Sequence, residues 1–218
     1  MVQLKVLITI ILALELFGLS SPVLAQINQT RKLIIVIDPG HGGKDSGAVG
    51  INGILEKDVV LKIAKQMVEL NETTFHNQYK IYLTRYKDTL ISLGDRSELA
   101  KTLKADVFIS LHCNHSDNSN ARGLEVFVSK KQGKYFQESI LLAYDLQKKL
   151  KEKIGFESRG VKFANFQVLR ETNDYFPSVL LELGFLSNNN EAEHFSNPKK
   201  NSIMALALSI EVFNYLKK

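Results

Sequence analysis

The stretch LIIVIDPGHGGKDSGAVG, residues 33–50, joins an apolar run to a glycine-rich segment. The run Leu33–Ile37 is typical of a buried strand, and Asp38 and Pro39 follow where that strand ends. His41 comes next among glycines, which give the backbone unusual conformational freedom. Two kinds of site use such a loop. One is a cradle of backbone N–H groups for phosphate, and the other is a metal site towards which a ligand turns.

The spacing of the glycines disfavours the phosphate cradle. A P-loop requires the pattern G-x-x-x-x-G-K-[ST]. Aligning Gly43 and Lys44 with that pattern places Asp38 at the first glycine position and Asp45 where Ser or Thr belongs. Two carboxylates would then face a phosphate, and the dinucleotide pattern G-x-G-x-x-G does not fit either. The metal site is the better interpretation of the loop.

Composition limits the class of protein. The chain has 218 residues, of which 44% are hydrophobic and 23% charged, as in a globular domain. Its net charge of +5 suits an anionic partner such as a bacterial wall, and it also suits an ordinary solvated surface. No nucleic-acid-binding motif is present, so we expect no nucleic-acid partner. A single cysteine, Cys113, excludes an intramolecular disulfide and a CxxC metal cluster.

The first 25 residues have the pattern of a signal peptide. Lys5 gives a positive start, the run VLITIILAL follows, and Val23-x-Ala25 is a small-residue cleavage pattern. Glu15 disfavours a permanent membrane anchor, because a carboxylate at a bilayer centre costs roughly 2.5–3.5 kcal/mol. We expect cleavage after Ala25, export of residues 26–218 to the periplasm, extracellular space or cell wall, and no stable membrane anchor afterwards.

Beyond this segment, apolar runs alternate with segments of helical periodicity. Predicted strands cover residues 33–38, 79–85, 106–112, 123–129, 166–170 and 178–185, and predicted helices cover residues 55–70, 92–105, 135–155 and 197–216. This alternation predicts a single α/β domain with a largely parallel or mixed central sheet flanked by helices on both faces. In such sheets, sites form at the carboxyl ends of the strands.

Four ionisable residues are expected at that edge. His41 and His112 follow or end strands, Glu56 begins a helix, and Glu182 lies near the end of the last strand. Hydrolytic zinc commonly has two His ligands and one carboxylate, and a separate carboxylate moves the protons. His41, Glu56 and His112 fit the first role and Glu182 the second. Each also has an ordinary structural explanation, although a carboxylate inside the apolar run SVLLELGF is costly without a partner.

Seven blocks of the sequence carry a family resemblance: IDPGHGGKDSGA, EKDVVL, LTR, DVFISLHCN, RGLEVF, GVKFANFQVLR and SVLLELGFLSN. In this order they resemble the zinc-dependent N-acetylmuramoyl-L-alanine amidases of type 3, the catalytic domains of bacterial cell-wall hydrolases. The resemblance runs from about Leu33 to the C-terminus. It implies a twisted sheet between helices and one Zn²⁺ per chain, held by His41, Glu56 and His112, with Glu182 as general base. It also implies peptidoglycan as the substrate, cut between N-acetylmuramic acid and L-alanine.

Four further positions within these blocks are candidates for supporting the ligands or contacting substrate. Glu125 matches a G-x-E strand of the family, and we expect it in the site wall or in a position that supports the ligands, rather than as a ligand itself. Asn114 follows closely after the second histidine. Arg85 and Arg96 match positions that the family fills with arginine, where ion pairs with carboxylates at strand or helix ends are as expected as substrate contacts.

Three residues are expected to lie outside the zinc centre. Cys113 departs from the family pattern only slightly, and we expect it to be a small buried residue that points away from the metal. His115 lies three residues beyond His112, and a role as fourth ligand or substrate contact is the weaker interpretation. His194 lies in a polar stretch and is expected at the surface.

Two other functions compete with an amidase. A non-catalytic wall-binding module on the same fold would have no need of all four ionisable residues. A zinc peptidase acting on stem peptides would usually show H-E-x-x-H, which is absent from the sequence. We therefore predict a zinc amidase that acts on peptidoglycan as a monomer.

Overall fold

The computed structural model describes residues 31–218. The predicted signal peptide and its cleavage site lie outside this range, so the domain boundary stays a prediction. Leu33–Lys218 forms one compact unit. Among the described residues, no helix combines the length and the apolar character needed to span a bilayer.

This unit contains six strands and six helices, which alternate except that the fourth strand follows the third directly and the sixth helix follows the fifth. The strands are β1 (Ile34–Pro39), β2 (Lys80–Leu83), β3 (Val107–Asn114), β4 (Leu124–Ser129), β5 (Ser158–Ala164) and β6 (Ser178–Phe185). The helices are α1 (Glu56–Thr73), α2 (Leu93–Thr102), α3 (Phe136–Ile154), α4 (Gln167–Thr172), α5 (Asn189–Ser196) and α6 (Pro198–Leu216).

The strands form one mixed sheet in the order β2-β1-β3-β6-β4-β5. Pairs β1–β2, β1–β3, β3–β6 and β4–β5 are parallel, whereas β4 is antiparallel to β6. The carboxyl ends of β1, β3 and β6 therefore meet the start of β4 at one edge. The predicted α/β class with a mixed sheet is confirmed.

Helices cover both faces of the sheet. Alternate residues of a strand point to opposite faces. Ile37, Ile109 and Leu181 accordingly pack in the cluster that also contains the buried residues of α1, α3 and α6. Their strand neighbours Phe108 and Leu180 pack in a second cluster with residues of α2 and α4. Burial of apolar side chains on both faces of the sheet stabilises the strands, and the candidate site lies at the ends of these strands.

Local sequence fixes the start of α1, which matters most for the site. Glu56 and Asp58 lie in its first turn, where carboxylates interact favourably with the helix dipole. Val59, Val60 and Ile63 follow at helical spacing and are buried. This face holds α1 against the sheet, and Glu56 is thereby placed next to the loop that follows β1.

One prediction of secondary structure was wrong, and two elements were not predicted. Residues 166–170, predicted as a strand, are instead the N-cap residue and the first residues of helix α4, because a short apolar run does not by itself distinguish the two. Strand β5 was missed because it is a half-exposed edge strand without a continuous apolar run. Helix α5 was missed because its sequence, NNEAEHFS, is mostly polar.

Candidate metal centre

Three side chains from separate elements converge at the edge of the sheet. His41 comes from the loop after β1, Glu56 from the first residue of α1, and His112 from the end of β3. One ligand atom from each lies within 4.8 Å of the others. Glu56 Oε1 lies 3.0 Å from His41 Nε2 and 2.9 Å from His112 Nδ1. These are the three residues that the sequence suggested as ligands.

Two glycines provide the space for this approach. A Cβ atom on Gly40 would lie 2.2 Å from His112 Cε1. A Cβ atom on Gly47, which has φ of 64°, would lie 2.4 Å from Glu56 Oε2. His41 itself has φ of 59°, in the left-handed region that L-residues rarely adopt. The glycines therefore serve close packing around the ligands as well as the turn.

Hydrogen bonds fix the orientation of two of these side chains. His41 Nδ1 lies 2.8 Å from Asp45 Oδ2, an arrangement that orients the ring and leaves Nε2 facing Glu56. Glu56 Oε2 accepts a hydrogen bond from the Ala48 N–H at 2.7 Å, and Oε1 accepts one from the Cys113 N–H at 2.9 Å. Sequence reasoning missed Asp45, which entered only as an argument against a P-loop. Asp45 lies four residues after His41, whose backbone is left-handed, and the sequence does not show which side chain of this loop reaches the His41 ring.

The cluster holds opposite charges close together. Burial opposes ionisation of Glu56, but hydrogen bonds from His112 and His41 outweigh it and lower the pKa of Glu56 to about 2. Burial also opposes ionisation of His41, which by itself would lower the pKa of that residue. The contacts of His41 with Glu56 and Asp45 outweigh burial and raise the pKa of His41 to about 9. The Glu56 carboxylate therefore attracts positive charge, and a metal ion that binds beside it would displace the proton of the His41 imidazole. This donor set fits Zn²⁺.

Glu182 lies beside the cluster in a different environment. It is the register partner of His112 on one side and of Glu125 on the other. Its Oε2 atom is buried and has no hydrogen-bond partner among the described residues. Burial raises the pKa of Glu182 to about 7, against the influence of His112 and with a contribution from the Glu56 carboxylate. A carboxyl group with such a pKa exchanges a proton near neutral pH.

Glu125 is charge-compensated. It is only 3% exposed, and its Oε1 atom accepts hydrogen bonds from Arg159 and, at 2.7 Å, from Lys162 Nζ. Its Oε2 atom accepts a hydrogen bond from Asn114 Nδ2 at 3.3 Å. Asn114 lines the cavity at the site, whereas Glu125 is not among the cavity-lining residues in the described part of the chain. Glu125 thus lies one strand beyond the cavity wall, next to Glu182.

The two predicted arginines are buried under the loop that carries His41. Arg96 forms an ion pair with Asp38, with 2.7 Å between Nη1 and Oδ1. Arg85 donates its hydrogen bonds to main-chain carbonyl oxygens. The expected pairing with a carboxylate is therefore seen for Arg96. Arg85 is 3% exposed and Arg96 is 2% exposed, so each offers little surface for a substrate contact, although Arg96 is among the residues that line the cavity beside the ligands.

The three residues that the sequence places outside the zinc centre are also outside the ligand cluster formed by the described residues. Cys113 is buried in the larger apolar cluster. His115 is exposed at the cavity, and the cluster of possible metal ligands in residues 31–218 does not include it. His194, expected at the surface, is instead partly buried in ring contact with Phe156 and Phe195, and its Nε2 atom lacks a hydrogen-bond partner in the described structure.

A cavity of about 1010 Å³ opens over the ligand cluster. The four ionisable residues line it together with other polar residues and a group of apolar side chains. The apolar lining residues include Leu90, Ile91, Leu93, Phe166 and Val168. Leu93 is 51% exposed and Phe166 is 37% exposed, so apolar surface is available at the mouth. A cavity with such a lining suits a ligand that has both apolar parts and a polar reacting group.

Comparison with known proteins points to one family. Residues 35–211 match the model of the N-acetylmuramoyl-L-alanine amidase family. The chain is 40% identical over 158 residues to N-acetylmuramoyl-L-alanine amidase LytC of Bacillus subtilis, a match that covers 72% of this chain and 30% of LytC. It spans about a third to a half of the length of several curated relatives.

Solved structures agree with this match. The catalytic domain of CwlV, an N-acetylmuramoyl-L-alanine amidase from Bacillus (Paenibacillus) polymyxa var. colistinus, is 34% identical with a TM-score of 0.76, covering 85% of this chain and 98% of that one. An N-acetylmuramoyl-L-alanine amidase from Clostridium difficile 630 is 34% identical with a TM-score of 0.79, covering 87% and 99%.

Proposed function

The chain belongs to the N-acetylmuramoyl-L-alanine amidase family, and from this premise we propose that it is a zinc-dependent peptidoglycan hydrolase. The bond cut is the amide between N-acetylmuramic acid and the L-alanine of the stem peptide. One observation carries the proposal: the ligand cluster of His41, Glu56 and His112 lies at the floor of an open cavity beside Glu182, whose Oε2 atom has no partner among the described residues.

The three ligand residues would hold one Zn²⁺. When bound, zinc would act as a Lewis acid that polarises the scissile carbonyl and favours deprotonation of the attacking water. Glu56 contributes the negative charge of the ligand set, because its pKa of about 2 keeps it ionised. Asp45 holds the His41 ring through Nδ1, so that Nε2 remains directed at the centre.

Glu182 would carry out the proton transfers. Its unpartnered Oε2 atom accepts a proton from the attacking water as the new C–O bond forms. The same carboxyl then gives that proton to the amino group of L-alanine as the C–N bond breaks. In the metal-free protein burial raises the pKa of Glu182 to about 7, so this carboxyl group takes up a proton more readily than an exposed glutamate does.

Location and partners follow from the same proposal. Several relatives are named as cell wall amidases, which supports a cell-wall location. We propose that residues 1–25 are removed on export and that residues 26–218 act as a monomer in the periplasm or cell wall. The net charge of +5 would favour contact with anionic wall polymers.

The test is the chemistry of the products. Purified residues 26–218 with zinc are incubated with isolated peptidoglycan, and the fragments are analysed by mass spectrometry. We expect stem peptides with a free L-alanine amino terminus and intact glycan strands. New reducing sugar ends would identify a glycosidase, and cleavage within the stem peptide would identify a peptidase. Binding to the wall without any cleavage would identify a non-catalytic module, and each of these outcomes would overturn the proposal.

A further inference from the structure

Two buried guanidinium groups lie beneath the loop that carries His41. The carbonyl groups of this loop lie outside the strands and helices, and buried carbonyl groups need donors. Arg85 and Arg96 supply them from β2's end and from α2. Both side chains are almost completely buried, so their contacts are with the protein.

Arg85 connects two parts of the ligand cluster. Its Nη2 atom donates to the Gly40 carbonyl and to the Lys57 carbonyl, each at 2.8 Å. Gly40 immediately precedes His41, and Lys57 immediately follows Glu56. A single nitrogen atom therefore joins the backbones next to two of the three candidate ligands.

Arg96 acts on His41 directly. Its Nη2 atom donates to the His41 carbonyl at 2.8 Å, and its Nη1 atom contacts Asp38 Oδ1. Asp38 is fixed in turn by the hydroxyl groups of Thr84 at 2.6 Å and Ser110 at 2.8 Å. The carbonyl of His41 is thus tied to a buried network that includes strands β1 and β3.

The geometry of the guanidinium group matters here. It presents five N–H donors in a rigid plane, whereas a lysine ammonium is a compact group on a flexible stem. The left-handed backbone of His41 is an uncommon conformation that persists only where surrounding contacts hold it. A planar donor fixes both the distance and the direction of the carbonyl groups next to it.

We propose that Arg85 is a positioning residue for the metal site: its Nη2 atom sets the separation between the loop that carries His41 and the helix start that carries Glu56. Arg96 supports it by fixing the carbonyl of His41. The inference rests on the proposed function, because it takes His41 and Glu56 as metal ligands. Arg85 does not contact substrate in this account and is not a catalytic residue.

The test measures metal affinity separately from folding. The variants are Arg85→Met and Arg85→Lys, and Arg122→Met is the control, because Arg122 is an exposed arginine that pairs with exposed Glu157. Zinc affinity is measured by competition with a chromophoric chelator, well below the unfolding temperature of each metal-free variant. The absorption spectrum of the Co²⁺-substituted protein reports the coordination geometry.

We expect both Arg85 variants to bind zinc about 10-fold or more weakly than the wild type, the range typical of groups that support ligands. Their Co²⁺ spectra should also change, whereas Arg122→Met should match the wild type in both measurements. A purely structural role would lower the unfolding temperature without changing the spectrum. Arg85→Lys keeps the charge and much of the volume, so it serves if Arg85→Met does not fold.

Two contrary outcomes are distinguishable. A folded Arg85 variant with wild-type zinc affinity and a wild-type Co²⁺ spectrum overturns this inference alone. A wild-type protein that takes up no zinc overturns the metal centre of the proposed function, and the inference falls with it. For a destabilised variant, the rise in unfolding temperature with zinc concentration gives the affinity independently.

Discussion

Glu56 and Glu182 lie at the same edge of the sheet, yet their surroundings are opposite. Both oxygens of Glu56 accept hydrogen bonds from backbone N–H groups, and two histidines contact it. Glu182 has a buried oxygen without a partner in the described structure. The pKa of Glu56 is lowered to about 2, and that of Glu182 is raised to about 7. Carboxyl groups whose pKa values are driven apart usually have different roles.

Glu125 is a third carboxylate at this edge of the sheet, and it is the register partner of Glu182. Two cations on β5, Arg159 and Lys162, bond to its Oε1 atom. The negative charge of Glu125 is thus balanced by two cations, and its other carboxylate oxygen accepts a hydrogen bond from Asn114. Under the proposed function, Glu56 would hold the cation, Glu182 would exchange the proton, and Glu125 would do neither directly.

The largest effect is expected from removing a ligand. His41→Ala or His112→Ala removes one of three donors, so we expect loss of stoichiometric zinc and of hydrolysis. Glu56→Gln should weaken binding less completely, since an amide oxygen can still coordinate. Metal analysis of the purified variants checks this. Full zinc occupancy in both histidine variants would contradict the assignment of the ligands.

Replacing Glu182 should separate binding from chemistry. Glu182→Gln keeps the shape of the side chain but cannot accept a proton, so we expect normal zinc content and a fall in turnover of about 10²–10⁴-fold. Glu125→Gln is the matched control and should retain more activity. The measurement is peptidoglycan hydrolysis by zinc-loaded protein. Near wild-type turnover in Glu182→Gln would remove it as the general base, and Glu125 would become the next candidate.

Much of this site follows from the sequence, and the reasons are topological. The apolar runs ending near His41, His112 and Glu182 predict parallel strands, and parallel strands bring their carboxyl ends to one edge. Glu56 follows from the helical spacing of the residues after it. Asp45 could not be predicted, because the sequence does not show the path of the loop between Asp45 and His41, where the backbone of His41 is left-handed.

Other features depend on packing that the sequence does not display. The antiparallel direction of β4 places Glu125 opposite Glu182, and the sequence predicted a strand there without its direction. The short run FQVLR, residues 166–170, fits a strand or a helix until its neighbours are known. Phe166, just before helix α4, consequently lines the cavity rather than extending the sheet.

The stability of the zinc-free protein should also distinguish the two carboxylates. The pKa of Glu182 is raised, so in the wild type stability is lost as pH rises from 4.5 through about 7. Glu182→Gln should therefore stabilise the zinc-free protein above pH 7 by at most roughly 3 kcal/mol, since a pKa shift of one unit corresponds to about 1.36 kcal/mol. Near pH 4.5 the gain should vanish.

Glu56→Gln should have the opposite sign. The pKa of Glu56 is lowered, so its contribution to stability is present above pH 4.5 and is lost as pH falls through about 2. The variant should be destabilised at neutral pH without metal. Urea unfolding with a chelator present measures both variants. A shift of the same sign in the two variants at neutral pH would contradict the comparison.

The smallest expected effect lies outside the site, at His194. Burial between aromatic rings, with a contribution from the charge of Lys200, lowers the pKa of His194 to about 4. The unfolded chain binds this proton from pH 6.5 downwards, whereas the folded protein does not until about pH 4. Stability attributable to His194 is therefore present above pH 6.5 and lost as pH falls to about 4.

The variant His194→Phe keeps an aromatic ring beside Phe156 and removes both the titration and the unpartnered Nε2 atom. We expect it to gain stability relative to the wild type as pH falls from 6.5 to 4. His76→Gln, at an exposed position, is the control and should follow the wild type. Thermal unfolding is measured for each protein across this pH range, and the stability of the wild type is subtracted from that of the variant. The site residues are the same in both proteins, so their titration cancels in this difference. If the difference in stability between His194→Phe and the wild type does not change with pH, the pKa of His194 is not lowered in the folded protein. The prediction for His194 would then be wrong, whereas those for Glu56 and Glu182 would be unaffected.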